Sequence, residues 1–448
     1  MDLVIAFFIF MAVMLVTIIT GKSVVGALFV GFICFFIVAI LRGNSIKAVG
    51  TMAYKGVKTS YVVIKLMVLI GCLTALWRAS GTISFFVYYG ISIITPSMFI
   101  MISFVLTCIL SYFLGSSFGV CSTAGVMLMI LAHSGGVNEI ITAGAIISGS
   151  YFGDRTSPVS SSAFLTATIT GIGQKKNTNL LIKTGVFPLI ISGIFYMIVS
   201  IKNPIIINDT SVLDALKESY NISIMAALPA VVLLVLPFFK TSVSNTILCS
   251  FIVAFVVAMV SQGQSASTLV RFAIVGYELQ NPLLGDIMSG GGIVSMVEVI
   301  FVVMLSSSYA GIFEGTNMLG ILKKTLEKTT GKLKLFTVQV LFSIVAIMVF
   351  CNQTIGTILS VQLLGDIYEK RKASKEELAA DIGNSLITIC GIIPWSIACA
   401  VPLSMLGVGI EAIPWSVFLW LNPICYIFSK RIFFNKGNCN VIRHMLQK

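Results

Sequence analysis

The chain has 448 residues, of which 57% are hydrophobic and only 10% are charged. A soluble chain would carry about a quarter charged residues, so a water-soluble globular fold is excluded and a polytopic, all-α membrane protein remains. The net charge of +12 sits on Lys and Arg in short loops and the tail, where it reads as a topology signal; no RNA- or DNA-binding motif accompanies it, so no nucleic-acid partner is expected.

The apolar runs are about 15 to 22 residues long, which suits membrane helices and not barrel strands. The whole of residues 1–448 reads as one integral membrane domain with the lipid bilayer as its principal partner. The ten cysteines are scattered through apolar segments with no C-x-x-C and no Cys/His cluster. They read as small buried hydrophobes, not as disulfides or metal ligands.

Two spans come first, Leu3–Thr20 and Ser23–Leu41; with no basic residue ahead of it, the first reads as a span and not a cleaved leader. The run I-T-G-K-S ending at Ser23 lacks the upstream glycine of a phosphate loop and is set aside. Residues 42–58 carry four bases and are expected along the membrane interface. The segment from Tyr61 to Thr95, with Lys65 and Arg78, fits either one long broken span or two short ones.

Ser97–Leu114 is a span, followed by Gly115–Leu131, which opens on the polar run G-S-S-F-G. After a loop from His133 to Glu139, the segment Ile140–Thr170 is apolar but interrupted by S-G-S-Y-F-G-D-R-T-S-P-V-S-S-S-A from Ser148. The loop Gly171–Lys183 holds lysines and no acid and is expected to be cytoplasmic. Thr184–Ser200 crosses to an acidic loop with Asp209, Asp214 and Glu218. Ser223–Phe239 and Asn245–Val260 follow, then a mixed stretch from Ser261 to Ser289 read as interfacial or partly re-entrant. Ile293–Phe313 leads to a loop rich in lysine. Phe336–Phe350 is followed by a second polar run, Cys351–Thr357. Ile382–Gly407 is apolar but broken around Gly391, Pro394 and Trp395. Ile413–Phe428 ends at a basic, cytoplasmic tail.

Two blocks share one order: a span, a polar run, a loop, then a broken helix. The charge rule orients them oppositely, as in the inverted repeats of secondary transporters, with repeat cores expected at 96–200 and 292–428. Charge and broken helix at membrane depth are costly and persist where they line a polar path. Asp154 is the leading candidate: it can hold a cation, sodium for example, or exchange a proton, and the alternative is a salt bridge to Arg155. Arg155 can meet a substrate carboxylate or neutralise Asp154. Ser116, Ser117, Thr156, Ser157, Ser160 and Ser161 can supply oxygen ligands, or can simply be small residues that let helices pack. Asn352, Gln353, Thr354, Asn384 and Ser385 are their counterparts in the second block. Glu298 and Glu314 are candidate gate or proton-relay residues, or else interfacial charges. The G-x-x-x-G spacings at Gly115, Gly149 and Gly311 read as packing faces, and Trp395 as a cap on the second break. With His133 and His444 outside the apolar core and no H-E-x-x-H or G-x-S-x-G in a suitable context, the chain reads as a transporter and not an enzyme.

Four runs resemble the NhaC-type sodium/proton antiporters of the ion-transporter superfamily: Gly115–Gly119, the long run from Ser148, Gly291–Met296 with Gly311-Ile312-Phe313-Glu314, and Tyr368–Arg371 with Asn384-Ser385 through Pro394-Trp395-Ser396. They spread over Gly115 to Leu406. The resemblance implies Na+/H+ antiport across the cytoplasmic membrane, an inverted-repeat fold with re-entrant hairpins and broken helices, no cofactor beyond the transported Na+ and H+, and a homodimer as a compatible assembly. Two departures stand out. Ser161 replaces a family acid, and Gly383-Asn384 replaces an acidic pair. A cavity richer in neutral hydroxyls suits a small organic acid or amino acid, so Na+- or H+-coupled exchange of such a substrate is the alternative.

Overall fold

The computed structural model describes residues 2–434 except 21, 94–95, 159, 205–215, 240, 280–287 and 317–332. Every regular element among them is a helix; one isolated antiparallel bridge joins Tyr277 and Gly290. Six helices are long and apolar enough to cross a bilayer, and shorter apolar helices accompany them. Large side chains such as Phe8, Val16 and Leu41 are exposed on their outer faces, which in water would be an aggregating surface and in lipid is the expected one.

The N-terminal part is a scaffold. α1 (Asp2–Ile19) and α2 (Val24–Leu41) form an antiparallel hairpin closed by an ion pair of Asp2 and Arg42 at 2.9 Å. α3 (Ile46–Thr59) does not lie flat in the interface as its bases suggest. It runs antiparallel alongside a later span, with Gly56 packed so closely on Ser307 and Gly311 that a Cβ there would fall 2.0 Å from the Ser307 carbonyl. Small residues on both helices make that approach possible. The segment from Tyr61 resolves into two helices, α4 (Tyr61–Ala79) and α5 (Thr82–Ile93), separated at Gly81, whose φ of +74° suits glycine.

The first block holds α6 (Phe99–Leu114), α7 (Ser117–Val120), a π turn at Cys121–Gly125, α8 (Val126–Ser134), α9 (Glu139–Thr156), α10 (Ser161–Thr170) and the long α11 (Gln174–Lys202). α12 (Leu228–Val235), α13 (Val243–Gln262), α14 (Ala266–Val275) and α15 (Val297–Gly315) connect the blocks. The acidic loop residues Asp209 and Asp214 lie outside the described residues, as do Cys439, His444 and the rest of the tail after residue 434. The second block holds α16 (Leu335–Phe350), α17 (Gln353–Lys370), α18 (Lys375–Asn384), α19 (Leu386–Ile389), α20 (Ile397–Met405) and α21 (Val417–Phe434).

Within each block the first helix runs parallel to the interrupted one. Ser111 meets Gly149 and Gly153, placing α6 along α9; Ser343 meets Ser385, and Cys351 accepts from Ile397 N at 2.9 Å, placing α16 along the α18–α20 segment. The blocks interlock by exchange. α10 packs on α17 while α20 packs on α7 and the π turn, and α11 packs on α18 while α21 packs on α9.

Candidate functional site

Local chemistry sets both interruptions. Pro158 has no amide to donate and disfavours helical geometry in the residue before it; Ser157 accordingly ends α9 with φ −71° and ψ 139°. Ser160 then caps α10, its Oγ accepting from the Ser162 and Ala163 amides at 3.2 and 3.3 Å. In the second block Ser385 departs from helical geometry (φ −124°, ψ −76°), residues 390–396 are non-helical, and Ser396 caps α20 by accepting from Cys399 N at 3.1 Å. Trp395 Nε1 ties that break to the Met348 carbonyl of α16 at 3.0 Å.

The two polar runs are built alike. Gly115 ends α6 in the left-handed conformation, and Ser116 caps α7, accepting from Gly119 N at 3.2 Å. Cys351 ends α16 in the same conformation, and Asn352 caps α17, its Oδ1 accepting from Thr354 N at 2.9 Å. Each run therefore presents a short turn and a capped helix N-terminus, whose dipole favours negative charge.

These N-termini converge on Asp154. The carboxylate is buried at the end of α9, 6% exposed. Ser162 Oγ lies 3.3 and 3.4 Å from its two oxygens and Ser160 Oγ 3.5 Å from one. The Ser117 amide of α7, the Gln353 side chain of α17 and Cys390 of the second break stand against it. Gln353 Nε2 is buried without a hydrogen-bond partner of its own. Beside this group a largely apolar cavity of about 330 Å³ is lined by Phe164 and Leu165 as well as Ser161, Ser162, Thr168, Gln353, Thr354 and Thr357. The position of Asp154 is fixed from behind: Ser111 Oγ donates to Gly149 O at 2.8 Å and accepts from Gly153 N at 3.0 Å, placing a hydroxyl within the bonding ladder of α9 one turn before the acid.

Arg155 does not pair with Asp154. Its guanidinium turns away from Asp154 and is fully buried on the other face of α9. Nε donates to Gly383 O at 2.9 Å, and Nη2 donates to Leu181 O at 2.7 Å, Thr184 Oγ1 at 2.9 Å and Asn384 Oδ1 at 2.8 Å. The kink at Ser385 frees the Gly383 carbonyl, and Arg155 is the side chain that satisfies it. Asn384 and Ser385 accordingly belong to this clamp and to Ser343, not to the surroundings of Asp154.

The other candidates separate in the same way. Ser160 and the Ser117 amide reach the carboxylate, Ser116 and Asn352 act as caps, and Thr156 Oγ1 donates to its own helix at Phe152 O, 2.6 Å away. Ser157 caps the buried end of α9. Ser161 and Thr354 line the cavity and are exposed; Ser162, one residue on, is the hydroxyl that touches Asp154. Glu298 and Glu314 lie at opposite ends of α15, both exposed, and the structure brings neither to Asp154. Glycines at Gly149–Gly153 and Gly311–Gly315 form close packing faces, whereas Gly115 is a helix-ending glycine.

One buried acid escapes the sequence reading because it falls just before the expected span at Ile382. Asp381 of α18 is fully buried and accepts from Tyr368 Oη at 2.5 Å, Tyr426 Oη at 3.1 Å and Lys430 Nζ at 2.5 Å; Lys430 also reaches Glu377 at 2.8 Å. The signal was the i, i+4 pair of acids Glu377 and Asp381 on the helical face that also carries Asn384.

Comparison with known proteins points to antiporters. Residues 151–429, which hold Asp154, Arg155 and nearly all of the second block, match the Na+/H+ antiporter family. The chain is 26% identical over 431 residues to the malate-2H+/Na+-lactate antiporter of Bacillus subtilis, covering 92% of this chain and 91% of that protein. It is 26% identical over 383 residues to the Na+/H+ antiporter NhaC of Alkalihalophilus pseudofirmus, covering 83% and 82%. It is 27% identical over 410 residues to the NhaC of Bacillus subtilis, covering 89% and 90%.

Proposed function

The chain belongs to the Na+/H+ antiporter family, and from that premise we propose that it exchanges Na+ for H+ across the cytoplasmic membrane with Asp154 as the exchanging group. The observation that carries this reading is a single buried carboxylate where two helix N-termini and a helix break converge. The hydroxyls of Ser160 and Ser162, with backbone carbonyls released at the break, are hard oxygen donors of the kind a small cation takes in place of water. A proton and a cation compete for the same carboxylate, so that occupancy by one expels the other; that competition is sufficient for antiport. The Ser117 amide holds the carboxylate between the two occupants, with the unpartnered Gln353 Nε2 beside it. Family membership makes the protein a multi-pass membrane transporter, and the fit of Asp154 to that role is our own reading.

The reading extends to the architecture. The cores at 96–200 and 292–428 act as inverted repeats, supported by their matched caps and by the exchange of partners between blocks. Rocking one block against the other around Asp154 would expose it to either face in turn. The tail after α21 faces the cytoplasm, in keeping with its basic charge.

Reconstitution tests this directly. In proteoliposomes with an imposed pH gradient, addition of Na+, but not choline, is expected to drive proton movement. Asp154→Asn is expected to abolish it; full exchange in that variant removes Asp154 from the mechanism. A second reading, coupled exchange of a small organic acid, is favoured by Ser161 and Gly383-Asn384, which stand where the family carries acids. Uptake of a labelled carboxylate with no Na+-dependent proton flux would establish it instead.

A further inference from the structure

A groove of about 550 Å³ runs along the outer face of the first block, between α6 and α11. The two helices are antiparallel and meet at one end, where Ile100 N donates to Ser200 Oγ at 3.1 Å and the Phe104 and Tyr196 rings lie 4.8 Å apart. Gly193 then leaves out a side chain. A Cβ there would meet only Met101 Cε at 3.7 Å and Phe104 Cε1 at 3.9 Å. This glycine is therefore not what lets the two helices approach; it opens the groove. Phe104 and Phe152 line it beside Gly193, and Ile109, Ile190 and Ile194 stand exposed along it.

An open apolar groove forfeits dispersion contacts until something fills it, and in a bilayer the choice is an acyl chain or another helix. A helix is about 10 Å across and comes close only where small residues recur four apart. The positions four from Gly193 are Leu189 and Met197, both large, which leaves room for a flexible chain and not for a helix. The depth also fits. α11 carries no charge from 184 to 201, about 27 Å of helix against a hydrocarbon core of about 30 Å. Lys183 marks one edge of that stretch. It is exposed and stands seven residues before Ile190, so it projects within about 20° of the groove, about 10 Å further along the helix. Lys176, two turns beyond, is taken by Glu376, whereas Lys183 has no ion-pair partner among the described residues. A free ammonium at headgroup level, in line with the groove, complements a lipid phosphate.

We propose that this groove holds one acyl chain of an anionic diacyl phospholipid whose phosphate rests on Lys183. The site lies on the outer face of the first block and stands whether or not Asp154 exchanges Na+ for H+.

Native mass spectrometry of the delipidated full chain in detergent, titrated with phosphatidylglycerol or with phosphatidylcholine of the same acyl chains, tests it. One saturable site is expected, favouring phosphatidylglycerol about five-fold, and glycerol 3-phosphate at the same concentration should not compete. Lys183→Gln is expected to remove that preference while phosphatidylcholine still binds. Gly193→Phe, whose ring fills the groove, is expected to abolish the site for both lipids. Equal binding of the two lipids by the wild type, an unchanged preference in Lys183→Gln, full competition by glycerol 3-phosphate, or a site that survives Gly193→Phe would overturn the proposal. So would a dimer that Gly193→Phe dissociates while lipid binding persists, which gives this face to a second copy of the chain. Should Gly193→Phe fail to give monodisperse protein, Gly193→Ala, whose methyl makes only ordinary contacts with Met101 and Phe104, is expected to weaken binding of both lipids, and unchanged binding there overturns the proposal equally.

Discussion

Replacing Arg155 separates a clamp from a substrate ligand. Arg155→Ala removes four hydrogen bonds of 2.7–2.9 Å, but they do not count equally. Thr184 Oγ1 keeps its bonds to Leu180 O and Asn384 Nδ2, and Leu181 O still accepts from Thr184 at 3.2 Å. Gly383 O and Asn384 Oδ1 are left buried with no other donor among the described residues. At about 1–3 kcal/mol for each stranded acceptor, the loss is about 2–6 kcal/mol, before the cavity left by the side chain is added. Removing the charge also removes its burial cost, so the lower half of that range is expected. Arg155→Lys keeps the charge and can reach only part of the set, and should lose about half as much. The assay is thermal unfolding in detergent, followed by size-exclusion recovery and by exchange in proteoliposomes. The clamp predicts lowered thermal stability in the order wild type, Lys, Ala, with apparent Na+ affinity preserved in whatever protein stays folded. An Arg155→Ala protein that melts like the wild type but has lost affinity for ion or carboxylate refutes the clamp and makes Arg155 a ligand.

Other outcomes follow from the same geometry. Ser162→Ala, which takes away the hydroxyl 3.3 Å from Asp154, should weaken apparent Na+ affinity in exchange assays about five-fold, while Ser161→Ala leaves it near wild type; the reverse pattern would misplace the site. Gly153→Ala would set a Cβ 2.0 Å from the Ser111 carbonyl carbon, forcing α6 and α9 apart at a cost of about 1–3 kcal/mol or more, and should lower both thermal stability and exchange. Lys176 at 2.5 Å holds the Glu376 carboxyl below its ordinary range. Its contribution is therefore complete above the unfolded value of about 4.3 and fades as pH falls through the lower folded value. Because the pair is exposed, Glu376→Gln should change stability near pH 7 by under about 1 kcal/mol, and by less in high salt.

Much of the architecture was legible from residues that act locally. Hydropathy placed the chain in the membrane. The ban on a donated amide at Pro158 located the first interruption, and Gly391, Pro394 and Trp395 the second. Even the ambiguous stretch from Tyr61 carried its answer in Gly81, a residue suited to the positive φ of the turn between α4 and α5. The boundary at Ile382 was misjudged by about two turns because a helix that begins among charges has no hydropathic edge, and that error hid Asp381. α3 was misjudged because its bases outweigh its packing face by count, whereas the contact of Gly56 with Gly311 depends on two helices far apart in the chain.

The sequence by itself determined that the chain spans a bilayer, where its helices break and that Asp154 lies at one of the breaks, since hydrophobic length, proline and capping residues act within a few positions of one another. Only the tertiary structure decided what each polar side chain meets. Asp154 faces Ser162, the Ser117 amide and Gln353, and Arg155 turns from its neighbour to a carbonyl 228 positions away. Adjacent residues on a helix project about 100° apart, so Asp154 and Arg155 were bound to address different surroundings, and the identity of those surroundings was fixed by which helices pack together.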